Sequence, residues 1–533
     1  MSEMVLLGDE AVAQGAIDAG LSIAYGYPGT PSTEIVEYLQ EWKRKEDESL
    51  IASWCSNEKT AYEAAVAVSM MGKRALVTMK HVGLNVAADA FMNSVGYTIH
   101  GGLVLAVADD PGMHSSQNEQ DSRYYADFAR TICLEPRNQQ EAYEMTKDAF
   151  ELSEKLHLPV LLKLTTRISH SRAVIKRGEV RPKNEFNPSK DRSHWTNLPF
   201  LSRQNYEDLW QQRPVLAEIS EKSDYNPLIL NGNNRDVAVI TTGLAYNYYK
   251  EAERDLENKP SHLHISFYPM PEDKIRELAG SAKRVIVIEE GYPFVERFLK
   301  GILPQAVQVD GKLNDVIPHL GEITPDICRK AMGLEAFEKA EIPEIEMPGR
   351  PPQLCKGCPH TDSYKALNEV MGEYENPVVT SDIGCYTLGY FAPHNAIHSC
   401  LDMGAAVTMA RGAAEAGAHP VVGVIGDSTF MHTGIQGLVD MLSAGNKVTL
   451  MILDNSITAM TGMQQTIVES SGIINVVKGC GVSPEHVRTI IPLPKHHEEN
   501  VKIIREEVEY NGVSVIIAQR ACIHVVKRKY AKG

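Results

Sequence analysis

Two strand ends close together in the sequence constrain the fold of this chain more than any other feature. The residues of 421–456 predict a strand, a tight turn, a helix and a second strand, with Asp427 after the first strand and Asn455 after the second. Adjacent strands of a parallel sheet end at the same edge, so both side chains are expected where ligands of α/β folds bind. A carboxylate and an amide oxygen, with a backbone carbonyl nearby, suit Mg²⁺ bound to a diphosphate and water. Alternatively, the two residues only form turns or cap helices.

This spacing resembles the thiamine diphosphate signature, in which Gly-Asp-Gly is followed, after a short helix and a strand, by Asn. Here the first element is Gly426-Asp427-Ser428, so a serine replaces the second glycine. The resemblance predicts thiamine diphosphate and Mg²⁺ as cofactors. It places Gly426, Asp427, Ser428, Asn455 and Thr458 at the diphosphate.

Composition limits the classes of protein to which the chain can belong. A length of 533 residues predicts roughly three domains, and 43% hydrophobic residues suffice for several large cores. The net charge of −16 argues against a nucleic-acid-binding groove. The N-terminus lacks the pattern of a signal peptide, and no apolar run approaches the ~18 residues of a membrane helix. Nine cysteines without disulfide-like spacing favour a reducing compartment, so we expect a cytoplasmic protein without a membrane partner.

Alternating strand-like and helical patterns predict an α/β fold in several parts. Residues 75–80, 102–110 and 159–167 are apolar enough to be buried parallel strands. Changes in composition predict the following organisation: an α/β domain at 1–190, a polar linker at 191–235, a second α/β domain at 236–335, a charged, proline-rich linker at 336–353 and a third α/β domain at 354–533.

A thiamine diphosphate site also requires a carboxyl group that protonates N1′ of the aminopyrimidine. Glu58 lies where a loop opens into an apolar helix, in the stretch 54–68. An acidic residue in a first helical turn can also serve only as a partner of the helix dipole. Given the predicted diphosphate site, we assign Glu58 as the activating acid.

Several motifs, spread in order over nearly the whole chain, resemble the large subunit of indolepyruvate ferredoxin oxidoreductase. They are residues 26–39, 57–91, 109–130, 354–360, 381–389, 426–438 and 453–462. The resemblance implies two doubly wound domains of the thiamine-diphosphate-binding type, for the pyrimidine (1–190) and the diphosphate (354–533), with a transketolase-C-like domain (236–335) between them. It also implies oxidative decarboxylation of an aryl 2-oxoacid with coenzyme A, which gives an acyl-CoA, CO₂ and electrons for ferredoxin.

The same resemblance assigns further residues by motif position. Thr30 and Glu58 would face the cofactor, and the backbone carbonyl of Ile457 would be a Mg²⁺ ligand. Lys80 and His81 would be catalytic, since a 2-oxoacid brings a carboxylate and its decarboxylation requires control of protons. The remaining candidates would bind the substrate: Ser115, Ser116, Gln117, Asn118 and Arg123.

Each of these polar residues also has a structural alternative. Thr30 can cap the helix that follows Pro31, and Ser115–Asn118 can be an ordinary polar turn. His81 can be a hydrogen-bonded structural histidine, and Arg123 can belong to a surface salt bridge.

Four cysteines indicate a metal or cluster site in the third domain. Cys355 and Cys358 form a Cys-x-x-Cys motif, Cys385 follows a predicted strand, and Cys522 follows the last predicted strand. Thiolates from several loops at one sheet edge can hold a [4Fe–4S] cluster, and the wider superfamily places a proximal cluster on cysteines in this order. A single Cys-x-x-Cys could instead be redox-active, zinc-binding or structural. Cys400 and Cys480 are alternatives to Cys522, whereas Cys55, Cys133 and Cys328 are expected to be small buried residues.

Two departures from the family affect the predicted function. The sequence stops eleven residues after Cys522, without the family's C-terminal ferredoxin-like domain. Electrons are therefore expected to leave through a small beta subunit with a γ-type domain, through ferredoxin or through another carrier. Residues 460–473 lack the His and Pro that usually follow Met-Thr-Gly, which leaves the aryl specificity open. Two other functions remain as alternatives to the oxidoreductase. One is a non-oxidative decarboxylase or carboligase, and the other is a regulatory subunit with a decayed site. By analogy with the family, we expect a dimer of large subunits.

Overall fold

A computed structural model describes residues 2–337 and 352–531 of the chain. It divides into two compact units, Met1–Glu341 and Ile342–Gly533. The predicted linker 336–353 lies outside the described residues except at its two ends.

The first part of the first unit alternates strands and helices, as its sequence predicts. Its strands are β1 (Glu3–Leu7), β2 (Ile23–Gly26), β3 (Ile51–Trp54), β4 (Ala75–Lys80), β5 (Leu103–Asp109), β6 (Cys133–Leu134), β7 (Val160–Thr165) and β8 (Arg172–Lys176). Its helices are α1 (Gly8–Asp18), α2 (Thr33–Lys45), α3 (Glu58–Met70), α4 (His81–Ser94), α5 (Arg123–Ala129), α6 (Gln139–Leu156) and α7 (Thr166–His170). The three predicted buried strands are β4, β5 and β7, and every residue in them is buried.

The second part of this unit continues the alternation. Its helices are α8 (Pro199–Lys222), α9 (Ala245–Glu253), α10 (Glu272–Ser281), α11 (Phe294–Ile302) and α12 (Pro325–Ala331). Its strands are β9 (Leu228–Ile229), β10 (Val237–Thr242), β11 (Ser261–Ile265), β12 (Phe267–Tyr268), β13 (Arg284–Ile288) and β14 (Gln308–Asp310).

Two large sheets organise the first unit, beside a small antiparallel pair of β1 with β8. The larger has the strand order β12-β6-β7-β5-β4-β2-β3 and is parallel except for β12, and the smaller has the order β14-β13-β10-β11-β9 and is parallel except for β9. Side chains of β4 alternate between two cores, since Leu76 packs with α1 and α6 whereas Val77 packs with α3 and α4. The second of these cores continues into the smaller sheet, so the two predicted domains share one apolar interior.

The predicted linker 191–235 contains a long helix, which the sequence pattern of this stretch does not indicate. The helix α8 spans 24 residues, and only Leu209, Leu216 and Ser220 are buried in it. So few buried positions, together with Pro214 inside the helix, produce a weak helical pattern in the sequence.

The second unit has a five-stranded parallel sheet covered by helices and a small antiparallel pair, β18 with β19, in the strand numbering that follows. Its strands are β15 (Val378–Ser381), β16 (Val421–Gly426), β17 (Val448–Asp454), β18 (Ile457–Thr458), β19 (Gln464–Gln465), β20 (Val487–Ile490) and β21 (Val513–Gln519). Its helices are α13 (Pro359–Met371), α14 (Ala405–Glu415), α15 (Asp427–Thr429), α16 (Ile435–Ala444), α17 (Ser470–Gly479), α18 (His497–Glu509) and α19 (Ile523–Ala531). The main sheet has the order β15-β16-β17-β21-β20, which confirms a doubly wound α/β fold. Among residues 2–337 and 352–531, no helix combines the length and apolar composition that a membrane span requires.

Candidate functional site

The carboxyl edge of the larger sheet in the first unit brings together most of its predicted site residues. Lys80 ends β4, and its Nζ donates a hydrogen bond to the backbone oxygen of Ser115 (2.6 Å). The Ser115 hydroxyl in turn donates to the backbone oxygen of Thr30 (3.3 Å). The ring nitrogen Nε2 of His81 lies 3.2 Å from the backbone oxygen of Asn118. Thr30, Lys80, His81 and the loop 115–118 are therefore neighbours.

Asp110 organises this loop and was not singled out from the sequence. Its carboxylate accepts hydrogen bonds from the Ser115 amide (2.8 Å), the Ser116 hydroxyl (2.6 Å) and the Thr166 hydroxyl (2.6 Å). Burial raises the pKa of Asp110, but these bonds and the charge of Lys80 outweigh it and hold the pKa at about 2. The sequence could have indicated Asp110 as a site residue, because it directly follows β5 just as His81 directly follows the neighbouring strand β4.

Lys80 and His81 occupy a desolvated environment. Burial lowers the pKa of Lys80 to about 8, against the attraction of Asp110. Burial and the charge of Lys80 also lower the pKa of His81, so its ring is neutral near neutral pH. Within the described residues, His81 Nδ1 is buried without a hydrogen-bond partner.

Glu58 is the first residue of α3 and is buried, and the side chain of Asn57 caps this helix by accepting the Thr60 amide (2.9 Å). Gly83 provides the space for its carboxylate, since a Cβ at Gly83 would lie 2.5 Å from Glu58 Oε1. Gly83 belongs to α4, two residues after His81, so Glu58 lies beside the same sheet edge.

The position of Thr30 resolves one of the structural alternatives in the first unit. Ser32, not Thr30, precedes the first turn of α2, so Thr30 is not the residue that caps this helix. Ser115, Gln117 and Asn118 are exposed, whereas Ser116 is half-buried.

Arg123 lies in the interior of the first unit, which corrects the alternative that it belongs to a surface salt bridge; its role as a substrate residue stays a prediction. Its side chain is buried, and its Nε donates to Asp121 (2.9 Å). One terminal nitrogen lies 3.0 Å from Glu289, and the other donates to the backbone oxygen of Glu290 (2.9 Å). All three guanidinium nitrogens therefore bind protein groups, and Arg123 links the two sheets of the first unit.

The second unit places its predicted cofactor residues at the carboxyl edge of its sheet. Strands β16 and β17 are parallel with Gly426 opposite Leu453, so Asp427 and Asn455 emerge side by side. The Asp427 carboxylate accepts the amides of Ser428 and Ser456, both at 2.7 Å. Gly426 is needed here, because a Cβ on it would lie 2.6 Å from the ring of Tyr386.

The donor set around Asp427 fits a hard cation with a diphosphate. The amide oxygen of Asn455 accepts the Ile457 amide (3.0 Å), and the Thr458 hydroxyl donates to the Ser428 hydroxyl (3.1 Å). Carboxylate, amide and hydroxyl groups thus converge from the two loops that follow β16 and β17. Burial, with the nearby charge of Asp454, raises the pKa of Asp427 to about 8. A bound cation would counter both effects and favour the ionised carboxylate.

All four predicted cluster cysteines line one small pocket of about 60 Å³ in the second unit. Cys355 is exposed, Cys385 is half-buried, and Cys358 and Cys522 are buried. The pocket also includes Asn455, and the amide of Cys522 donates to the backbone oxygen of Asn455 (3.2 Å). The cysteine pocket and the Asp427–Asn455 site are therefore adjacent.

The other cysteines lie outside this pocket. Neither Cys400 nor Cys480 lines it, so of the three candidates for the fourth position the structure brings in Cys522. Cys133 and Cys328 are buried as predicted, whereas Cys55 is only half-buried, which corrects its prediction as a buried residue.

His360 is a second residue that the sequence analysis missed. It is buried beside the cysteine pocket, and its Nε2 lies 3.3 Å from the amide nitrogen of Asn455. Burial lowers the pKa of His360 to about 4, so the ring is neutral near neutral pH. Its position directly after Cys358-Pro359 could have indicated, from the sequence, that His360 lies near the predicted cluster.

Two stretches of the chain match known families. Residues 14–220 match the family described as pyruvate flavodoxin/ferredoxin oxidoreductase, thiamine diphosphate-binding. Residues 382–517 match the C-terminal TPP-binding domain of thiamine pyrophosphate enzymes. The two matches contain the sheet edges described above.

Relatives extend the match to almost the whole chain. The indolepyruvate oxidoreductase subunit IorA of Archaeoglobus fulgidus is 38% identical over 98% of this chain and 86% of its own length. That of Thermococcus kodakarensis is 34% identical over 97% of this chain and 86% of its own length. The 2-oxoglutarate synthase subunit KorA of A. fulgidus is 26% identical over 54% of this chain and 88% of its own length.

A solved structure shows a similar fold. It is a 2-oxoglutarate:ferredoxin oxidoreductase from Magnetococcus marinus with 2-oxoglutarate, coenzyme A and succinyl-CoA bound; its TM-score is 0.52 at 16% identity, over 62% of this chain and 65% of that one. At this identity the likeness concerns the fold alone. The identities and coverage of the IorA relatives confirm the resemblance inferred from the motifs. The chain therefore belongs to the family of the indolepyruvate oxidoreductase subunit IorA, and it is an oxidoreductase of the thiamine-diphosphate-dependent 2-oxoacid class.

Proposed function

We propose that the chain catalyses the oxidative decarboxylation of an aryl 2-oxoacid such as indolepyruvate, with coenzyme A as acyl acceptor. One observation carries the proposal: the amide of Cys522 binds the backbone oxygen of Asn455, which joins a four-cysteine pocket to the diphosphate-type site. A non-oxidative decarboxylase has no use for four thiols beside its cofactor. The IorA names of the relatives support the aryl substrate, and the structure with bound coenzyme A supports the acyl acceptor.

In the second unit, Asp427 and Asn455 would hold Mg²⁺, with the backbone carbonyl of Ile457 as a further ligand. Ser428 and Thr458 present hydroxyl groups beside Asp427 that can bind diphosphate oxygens. When bound, thiamine diphosphate supplies the nucleophilic carbon and electron sink for decarboxylation, and a [4Fe–4S] cluster accepts electrons singly.

The first unit would supply the acid and the groups that handle the substrate. Glu58 is assigned as the acid at the aminopyrimidine, because it is buried in a place that Gly83 keeps open. Lys80 would bind the carboxylate of the 2-oxoacid as a cation. His81, neutral near pH 7, can accept or donate a proton, and the exposed loop of Ser115, Ser116, Gln117 and Asn118 would contact the substrate.

The four cysteines would hold the cluster. They come from three loops at one sheet edge, an arrangement that suits the ligands of a [4Fe–4S] cluster.

The electrons require a route away from this pocket. The exposed position of Cys355 leaves one side of the pocket open to solvent. We assign the acceptor as a ferredoxin or a similar carrier, since the structural neighbour is named for ferredoxin. We also propose a small beta subunit with a γ-type domain, because the relatives are named as subunits, and a dimer of the large subunit.

The test is anaerobic turnover of the chain in complex with its partner subunit. The assay measures reduction of ferredoxin or a viologen dye with thiamine diphosphate, Mg²⁺ and coenzyme A, and it compares indolepyruvate, pyruvate and 2-oxoglutarate. We expect indolepyruvate to give the highest kcat/KM and dye reduction to require coenzyme A. Release of CO₂ without dye reduction would contradict the oxidative reaction, and preference for an aliphatic 2-oxoacid would contradict the aryl substrate.

Matched variants connect the activity to the site. Glu58→Gln and Asp427→Asn should each lower kcat at least about 100-fold, within the range for a removed acid or cofactor ligand. The controls are Glu63→Gln, an exposed residue on the same helix α3, and Asp440→Asn, an exposed residue on α16. Both controls should retain activity. Full activity of Glu58→Gln would remove Glu58 from the proposed mechanism.

A further inference from the structure

Three side chains outside the proposed catalytic groups form a compact cluster in the first unit. Asp9 lies in the first turn of α1, Glu34 in the first turn of α2, and His170 ends α7. One ligand atom from each lies within 4.8 Å of the others, and His170 Nε2 is 3.5 Å from Glu34 Oε2. Three separate helices therefore direct oxygen and nitrogen ligands to one point.

The oxygens in this cluster lack the partners that burial normally demands. Asp9 is completely buried, and within the described chain neither of its carboxylate oxygens has a hydrogen-bond partner outside the cluster; its neighbours are Glu34 and the hydroxyl of Ser169. In the same residues, the buried Oε2 of Glu34 faces only His170 and Asp9. Buried carboxylates are strongly unfavourable unless they are paired, bonded or bound to a metal.

Among the described residues, neither lysine nor arginine compensates these carboxylates. Across residues 2–337 and 352–531, neither Asp9 nor Glu34 forms an ion pair with Lys or Arg, and the partner of Glu34 is His170. His170 is about one-third exposed, so the cluster opens to solvent on that side. The cluster thus offers two carboxylates, one imidazole and a way in for water.

We propose that Asp9, Glu34 and His170 form a binding site for a divalent transition-metal ion of the Mn²⁺ or Zn²⁺ type. An imidazole with two carboxylates suits these ions better than Ca²⁺ or Mg²⁺, which prefer oxygen ligands alone. Water from the side of His170 would complete the coordination. Modest side-chain rotation would close the present ligand spacing to the distances of a metal site.

The consequence of metal binding would be structural. The ion would join the first turns of α1 and α2 to the end of α7, which lie far apart in the sequence. Helix α2 directly follows the turn that contains Thr30, so the site would also support this turn. This role does not depend on the proposed function, since none of its ligands is assigned to the reaction.

The test is Mn²⁺ binding by the full-length chain, saturated with thiamine diphosphate and millimolar Mg²⁺. Mn²⁺ is the probe because thiolate ligands favour softer ions and compete little for it. The protein is stripped with chelator, dialysed against micromolar Mn²⁺ and assayed for metal per chain and for its unfolding temperature. We expect the wild-type chain to bind one Mn²⁺. His170→Gln and Asp9→Asn should each lower the affinity for this ion more than about tenfold. The unfolding temperature should rise with Mn²⁺ in the wild type but not in His170→Gln or Asp9→Asn.

A matched histidine provides the control. His194 Nε2 also lies 3.5 Å from a carboxylate, that of Asp191, and His194 is also partly exposed. It does not belong to the cluster of Asp9, Glu34 and His170. His194→Gln should bind Mn²⁺ as the wild type does. His170→Gln is a surface change, so it remains informative if Asp9→Asn does not fold.

The outcomes separate this site from the cofactor site. Asp427→Asn should lose thiamine diphosphate binding and keep the Mn²⁺ that depends on His170. The proposal would be overturned if the wild-type protein bound no such ion, or if His170→Gln bound it equally well. The cluster would then be a carboxyl pair, Asp9 and Glu34, that shares a proton. Failure to bind thiamine diphosphate would count against the proposed function alone.

Discussion

Lys80 places a partly desolvated ammonium group at the carboxyl end of β4. With its pKa lowered to about 8 by burial, it is charged at pH 7 and loses its proton within the range of ordinary assays. The charged form suits the carboxylate of a 2-oxoacid, and the neutral form does not. Substrate binding is therefore expected to weaken as the pH rises through about 8.

Kinetics at several pH values test the role of Lys80. KM for the 2-oxoacid should rise about tenfold or more between pH 7 and 9, in line with the ~1.5–3 kcal/mol of a charged hydrogen bond. Lys80→Met should show the high KM already at pH 7 and no further rise. The control is Lys59→Met, an exposed residue on α3. Equal pH profiles of KM for the wild type and Lys80→Met would contradict this role.

Gly83→Ala tests the position of Glu58 without changing Glu58 itself. The added Cβ would lie 2.5 Å from Glu58 Oε1, and the flexible end of a side chain can move away. Alanine also favours helix over glycine by about 1 kcal/mol, so we expect α4 to remain folded. The variant should keep its unfolding temperature within a few degrees but lose most of kcat. Gly280→Ala in α10, where a Cβ meets nothing within 4 Å, is the control. Unchanged kcat in Gly83→Ala would show that the carboxylate position is not critical.

At the scale of elements, the site residues lie where parallel strands end. In the second unit, β17 and β21 run in register with Asp454 opposite Gln519, which brings the loop of Cys522 next to Asn455. The loop before α13 supplies Cys355 and Cys358, and the turn after β15 supplies Cys385. The thiols thus come from three loops that only the sheet holds together.

Iron analysis tests this arrangement of loops. Anaerobically purified protein should contain about four iron and four sulfide per chain. Cys522→Ser should lose most of the iron, whereas Cys400→Ser should retain it, because Cys400 lies outside the pocket. The same chemical change at two cysteines separates ligation from a general effect on stability. Full iron in Cys522→Ser, with loss in Cys400→Ser, would reverse the assignment of the fourth ligand.

At the scale of the whole molecule, cofactor binding should appear as stability of the folded chain. A ligand at 100 times its Kd stabilises the protein that binds it by about 2.7 kcal/mol. For a unit the size of Ile342–Gly533, this predicts an increase in unfolding temperature of about 5–10 °C. Calorimetry with and without thiamine diphosphate and Mg²⁺ measures it. The cofactor should no longer raise the unfolding temperature of Asp427→Asn, whereas it should still raise that of Asp440→Asn. An equal rise in both variants would place the cofactor elsewhere.

Much of this site could be predicted, because the sequence patterns that indicate its residues are local or follow from the register of neighbouring strands. Asp427 and Asn455 end adjacent parallel strands, and Glu58 begins a helix, so their positions follow from short stretches of sequence. Arg123 shows the limit. Its partners Asp121, Glu289 and Glu290 include residues far along the chain, and burial by two sheets is invisible in the motif around it.

The sequence by itself determined the alternation of strands and helices, the family and the residues that end the main strands. These properties depend on hydrophobic periodicity and on residue types within a few positions of each other. Only the tertiary structure decided which cysteine completes the pocket, which charges are buried together and that Asp9, Glu34 and His170 meet. The physical reason is that burial and electrostatic pairing depend on distances in space, and chain folding brings these groups together from remote parts of the sequence.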